Sequence, residues 1–136
     1  MILNELYDMV NKDLEIDKTE LDTESLRTPQ IHNKYLILHS KEKLKLEHVL
    51  SEKKVKRRNK WLYYTGKMSQ EDLDRYGWEP FDLVILKTEV DRFVESDEEM
   101  IKLSAKITLQ EEVVSYLVSV AKMISNRQWN IRCPLD

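Results

Sequence analysis

Apolar positions recur at spacings of three and four along most of this chain, the period of a helix that buries one stripe. Leu3, Leu6, Val10 and Leu14 follow that rhythm and predict a helix over 2–14. Residues 15–28 (EIDKTELDTESLRT) are acidic and weakly patterned, and read as a linker with a short helical turn. Thr28-Pro29 marks a helix start, because the first helical position has no use for the N–H that proline lacks. A long polar helix is expected from about 30 to 64. Ile31, Tyr35 and Leu38 open its stripe, and Leu46 and Val49 continue it past a gap at Glu42. Gly66 ends it at the C′ position.

Ser69 then caps a short helix, with Asp72 three residues on. Gly77-Trp78-Glu79-Pro80-Phe81 breaks it. Residues 83–94 fit two patterns. Leu83-Val84-Ile85-Leu86 favours a strand, but Leu86, Val90 and Phe93 are spaced four and three, and we assign helix. Ser96 with Glu99 forms a capping box ahead of the last third. There Leu103, Ile107, Gln110, Val114, Leu117, Ala121 and Ile124 make one stripe. Leu109, Val113, Tyr116, Val120 and Met123 make a second beside it. One stripe serves an internal core. Two adjacent stripes predict a helix covered on both sides, the second by another subunit. The fold class expected is all-α, a single domain over 1–136 of elongated helices. N-terminal helices occupy 1–68, an acidic connector 69–95 and an oligomerisation helix 96–136.

Composition narrows the chemistry. The chain has 136 residues, two glycines and three prolines, so no Gly-rich phosphate cradle is present. A lone cysteine, Cys133, excludes an internal disulfide and a cysteine-based metal site, and points to a reducing, cytosolic setting. Charges interrupt the apolar positions of MILNELYDMVNKD, so it does not read as a secretory signal. The mostly apolar run Val113 to Ile124 is too short to span a bilayer. His32, His39 and His48 lack the i, i+4 spacing of paired metal ligands. No catalytic triad or dinucleotide fingerprint occurs, so no metal, no cofactor and no enzymatic activity are expected.

Charge changes the picture most. The net charge is −3, yet residues 53–68 carry +7 while 69–100 carry −8. Lys53, Lys54, Lys56, Arg57, Arg58 and Lys60 are six cations in eight positions, and Lys67 follows. No acid occurs from Lys53 to Met68, whereas a solvated helix face usually interleaves glutamate at i+4. On a helix Lys53, Lys56, Arg57 and Lys60 fall within an arc of about 100°, which Lys54 and Arg58 widen to about 200°. Trp61, Tyr63 and Tyr64 come next. Cations beside stacking surfaces are what a single strand's phosphates and bases require. The aromatics equally suit core packing. The acids of 69–99 read as solvated surface that also repels a nucleic acid.

The run Lys53-Lys54-Val55, then Arg58, Lys60, Tyr63-Tyr64 and Gly66, resembles the UvsY family, recombination mediators of tailed phages. The short leading helix, the acidic gap and the long apolar C-terminal helix extend the likeness over most of the chain. It implies a non-enzymatic protein of the host cell cytoplasm that binds single-stranded DNA. It also implies loading of a RecA-like recombinase in place of single-strand-binding protein, and assembly into rings of six or seven subunits. The DNA contact would map to Lys53, Lys54, Arg58 and Lys60, and assembly to the double stripe at 103–124. Lys56 and Arg57 are extra cations where relatives can be uncharged, which implies a broader binding face. Two other readings stand beside this one. The basic helix could dock an acidic protein as an adaptor, which a weak salt dependence of DNA binding would favour. A double-strand regulator would need a helix-turn-helix spacing, which is absent.

Overall fold

The structure is a computed structural model that describes residues 2–15 and 21–132, with side chains over 2–15 and 27–126. Among these residues it has five helices and no strand. They are α1 (Leu3–Asp13), α2 (Leu21–Tyr64), α3 (Gln70–Tyr76), α4 (Lys87–Glu95) and α5 (Glu98–Arg132). The middle of the expected linker and Cys133 lie outside the described residues. Two compact units share α2 and α5: residues 1–46 with 109–136, and residues 47–108.

The first unit is aliphatic. Leu6 and Val10 of α1, Tyr35 of α2, and Val113, Leu117, Val120 and Ile124 of α5 are each at most 1% exposed. Leu3, Ile31, Leu38 and Tyr116 pack around them. Each such aliphatic side chain contributes roughly 1.5–3 kcal/mol by leaving water. Here the expectation of two separately covered seams is corrected. Val113 and Val120 from one stripe and Leu117 and Ile124 from the other close a single intramolecular core, because α1 and α2 both pack on α5. From the same expected assembly set Ile107 is also buried, and Leu103, Val114 and Tyr116 are half-buried. Leu109 and Met123 are exposed.

Glu42, the gap in the α2 stripe, is buried, and its partner is the polar member of the α5 stripe. Gln110 Nε2 donates to the Glu42 carbonyl and to Glu42 Oε2, each at 2.9 Å. The two irregularities of the pattern thus satisfy each other, as buried polar groups must. Asp13 ties the end of α1 to α2, accepting from Lys34 Nζ at 2.6 Å and Tyr35 Oη at 2.8 Å. Burial opposes its charge, but those bonds and the lysine hold its carboxyl below the usual range.

Three boundaries depart from the pattern. Helix α2 begins at Leu21, which puts Pro29 inside it rather than at its start. Thr28, just before that proline, is buried, and packing of this stretch outweighs the backbone bond that proline removes. Helix α4 begins only at Lys87, so Leu83-Val84-Ile85-Leu86 is not helical, and it is no strand either. Ile85 packs inward while Leu83, Val84 and Leu86 are exposed. The cap of α5 is Asp97, not Ser96: Asp97 Oδ1 accepts from the Met100 N–H at 3.1 Å, and Ser96 Oγ donates back to the Arg92 carbonyl.

Candidate nucleic-acid interface

The second unit presents the basic stretch as the last three turns of α2. Gly66 stops the helix at φ +73°, where a side chain would be strained. The Lys67 N–H bonds the Leu62 carbonyl at 2.9 Å and the Gly66 N–H bonds that of Tyr63 at 3.1 Å, the paired closure of a Schellman cap. Ser69 caps α3 by accepting from the Asp72 N–H, as its spacing predicts. Gly77, at φ +70°, turns the chain into the Trp78 segment.

One side of the basic stretch faces inward. Lys60 is only 5% exposed. Its Nζ lies 3.1 Å from Asp97 Oδ2, 3.1 Å from Glu99 Oε2 and 3.9 Å from the centre of the Trp78 ring. Tyr64 Oη donates to the same Asp97 oxygen at 2.6 Å. Burial raises the Asp97 carboxyl's pKa, but bonds from Tyr64, Lys60 and the Met100 N–H more than offset it, so the group stays below its ordinary value. Glu99 is held low against burial by the lysines beside it. Tyr64 is pushed well above a normal phenol by burial and then by Asp97. Tyr63 Oη donates to the Glu79 carbonyl at 2.6 Å. Tyr63, Tyr64, Trp78, Phe81 and Phe93 meet ring to ring at 4.9–6.0 Å.

Three of the residues expected to touch DNA are therefore structural in this conformation. Lys60 is a buried ion-pair partner, and Tyr63 and Tyr64 pack in an aromatic cluster. The α3 turn and the start of α5 fold onto that side of α2. Asn59, also buried, donates to Tyr76 Oη at 3.1 Å.

The opposite side is open. At 100° per residue Arg57, Trp61, Lys54 and Arg58 lie within about 100° of one another, in that angular order. Trp61 is 38% exposed, and Lys67 Nζ sits 5.2 Å from its ring centre. Lys53, Lys54 and Arg58 have no acidic partner among the described residues, while Arg57 and Lys56 have distant ones: Arg57 Nη2 to Asp91 at 3.8 Å, Lys56 Nζ to Glu99 at 3.5 Å. An exposed indole flanked by free cations offers a face for a base and charges for the neighbouring phosphates. Sequence reading missed the acids that sort these cations. Asp91, Asp97 and Glu99 look like ordinary surface acids until α4 and α5 bring them to α2. The one available signal was that Asp97 stands next to a helix start.

Elsewhere the described residues contain no group of three His, Cys, Asp or Glu side chains able to hold a metal. No helix among them is long and apolar enough to cross a membrane.

The family described as "Recombination, repair and ssDNA binding protein UvsY" matches residues 9–136. The recombination protein uvsY of Enterobacteria phage T4 is 23% identical over 134 residues, covering 97% of this chain and 91% of that one. Crystal structures of the bacteriophage T4 recombination mediator protein UvsY share the fold. One lattice type superposes with a TM-score of 0.83 at 22% identity over 97% of this chain and 91% of the other. Another gives 0.77 at 20% identity over 94% and 92%.

Proposed function

The chain belongs to the UvsY family of recombination, repair and single-stranded-DNA-binding proteins, and from that membership we propose that it is a recombination mediator. It binds single strands without sequence preference and promotes loading of a RecA-like recombinase in place of single-strand-binding protein. The observation that carries this reading is the exposed side of α2, where Lys54 and Arg58 flank Trp61 with no acidic partner among the described residues. Exposed cations beside one indole suit phosphates and a stacked base, a grip on backbone and stacking rather than on sequence. A site so small binds weakly by itself. The proposed ring of six or seven copies supplies strength by multivalency, each further patch engaging a strand already held. Of the expected assembly residues, Leu109 and Met123 are the exposed ones, and we assign the contact between copies to them. We assign this work to the host cytoplasm.

Fluorescence anisotropy with a labelled oligothymidylate tests the strand site. Lys54→Ala with Arg58→Ala should weaken binding and lower the steepness of its salt dependence by at most about 1.4 log units per log unit, about 0.7 for each phosphate no longer neutralised. Unchanged affinity at several salt concentrations would overturn the assignment. Weak, salt-independent DNA binding by the parent protein would favour the adaptor reading instead.

A further inference from the structure

The cations of the basic stretch differ in how firmly they are already held. Lys60 is buried between two carboxylates and an indole. Lys53, Lys54 and Arg58 carry no acidic partner among the described residues. Arg57 and Lys56 stand between these extremes. Arg57 Nη2 lies 3.8 Å from Asp91 Oδ1, with side chains 49% and 71% exposed. Lys56 Nζ lies 3.5 Å from Glu99 Oε2. That oxygen makes ion pairs but no well-aligned hydrogen bond.

We propose that Asp91 and Glu99 are affinity-setting residues of the strand site, intramolecular stand-ins for phosphate that Arg57 and Lys56 give up when a single strand arrives. The proposal rests on the strand-binding reading above. A phosphate oxygen and a carboxylate oxygen offer the same acceptor to a guanidinium or an ammonium. The Arg57–Asp91 pair is long and water-exposed, so it is held weakly and exchange is easy; Lys56 exchanges less readily, because the Glu99 oxygen it pairs with is itself buried. The buried Lys60 pairs do not exchange, because separating them would leave charges without partners in the interior. The strand thus meets three classes of cation: free, exchangeable and locked. Exchange replaces one ion pair with another, so the Arg57 and Lys56 contacts add less affinity than their charge suggests. Such a site holds a strand loosely enough to hand it on, which suits a protein that must pass DNA to another.

A double-mutant cycle on the full-length protein tests this, read by anisotropy of a labelled oligothymidylate at several salt concentrations. Asp91→Asn should bind about two- to five-fold tighter than the parent, the range an exposed pair of this kind can withhold. The control is Glu95→Gln. It makes the same charge change one helical turn further along α4 and carries no ion pair among the described residues. Its gain should be smaller. In an Arg57→Gln background the Asp91→Asn gain should fall to that of Glu95→Gln, since the acid then has no cation to release. Glu99→Gln should behave alike with Lys56→Gln, although Glu99 also touches Lys60, so the Asp91 arm decides. If Asp91→Asn binds no tighter than Glu95→Gln, or keeps its gain without Arg57, the proposal is wrong. The strand reading survives that outcome provided Lys54→Ala with Arg58→Ala still weakens binding. If that pair changes nothing, the site itself is misplaced.

Discussion

The two units of this chain solve burial by different means. The first closes on seven side chains, six of them aliphatic, each shielded almost completely. In the second only Val90, Val94 and Met100 form the buried apolar cluster, with Tyr64 and Ile85 against it. Val49, Leu73 and Ile107 are buried singly outside that cluster, and the rest of its interior is rings and an ion-pair network around Lys60. Apolar contact is indifferent to pH, whereas carboxylates must stay ionised to hold an ammonium. The same helices α2 and α5 run through both, so the contrast is made by side chains and not by architecture. The unit that presents the strand site is the one held by charge.

The contrast breaks most sharply at Leu117. Leu117→Ala should cost about 3–5 kcal/mol by leaving a cavity in a fully packed core. Urea unfolding followed by circular dichroism measures it, and a loss under 1 kcal/mol would mean that this core collapses around the gap. In the second unit Lys60→Ala should cost about 3 kcal/mol, the low end for breaking a buried pair, because Asp97 keeps its bonds from Tyr64 and the Met100 N–H. Amide exchange should then quicken around 86–100 well before 113–124.

Acid should separate the units further. Asp97 and Glu99 have folded-state pKa values below their ordinary 3.8 and 4.5. Their contribution is therefore present above those ordinary values and is lost as pH falls through the lowered ones. Asp13 moves the first unit the same way, but its apolar core remains. Exchange protection should fail first in residues 47–108 below about pH 4. Simultaneous loss in both units would erase the distinction.

Smaller effects sharpen it. Gly66→Ala meets no atom within 4 Å, so only its positive φ resists the change. About 1–2 kcal/mol is expected. Lys54→Ala with Arg58→Ala should move stability by no more than about 0.5 kcal/mol, although it disables the strand site. A melting curve that shifts as far as that of Lys60→Ala would make those cations structural too.

Much of this was legible in the residues. The leading helix, the cap at Gly66, the Ser69 start and the all-α class follow from periodicity and turn chemistry that act within a few positions. What escaped involves partners far apart in sequence. The burial of both α5 stripes depends on α1 and α2 arriving on either side of it. Glu42 looked like a break in a stripe because Gln110, its partner, is 68 residues away. The basic stretch was correctly seen as a cluster, but its division into free and bound cations is set by Asp91, Asp97 and Glu99. Pro29 misled because a local rule about helix starts was outweighed by tertiary packing of the residues around it.

The burial of Lys60 has a consequence for its chemical reactivity. An amine needs room for an acylating reagent to approach. Lys60 lacks it, being shielded from solvent and held between two carboxylates. Half-buried Lys53 and exposed Lys54, a few residues away, are more open. Mild acetylation followed by mass spectrometry should therefore modify Lys53 and Lys54 while sparing Lys60. Adding a single strand should protect the first two and leave the third as unreactive as before. Lysines in one short stretch then report separately on DNA and on folding.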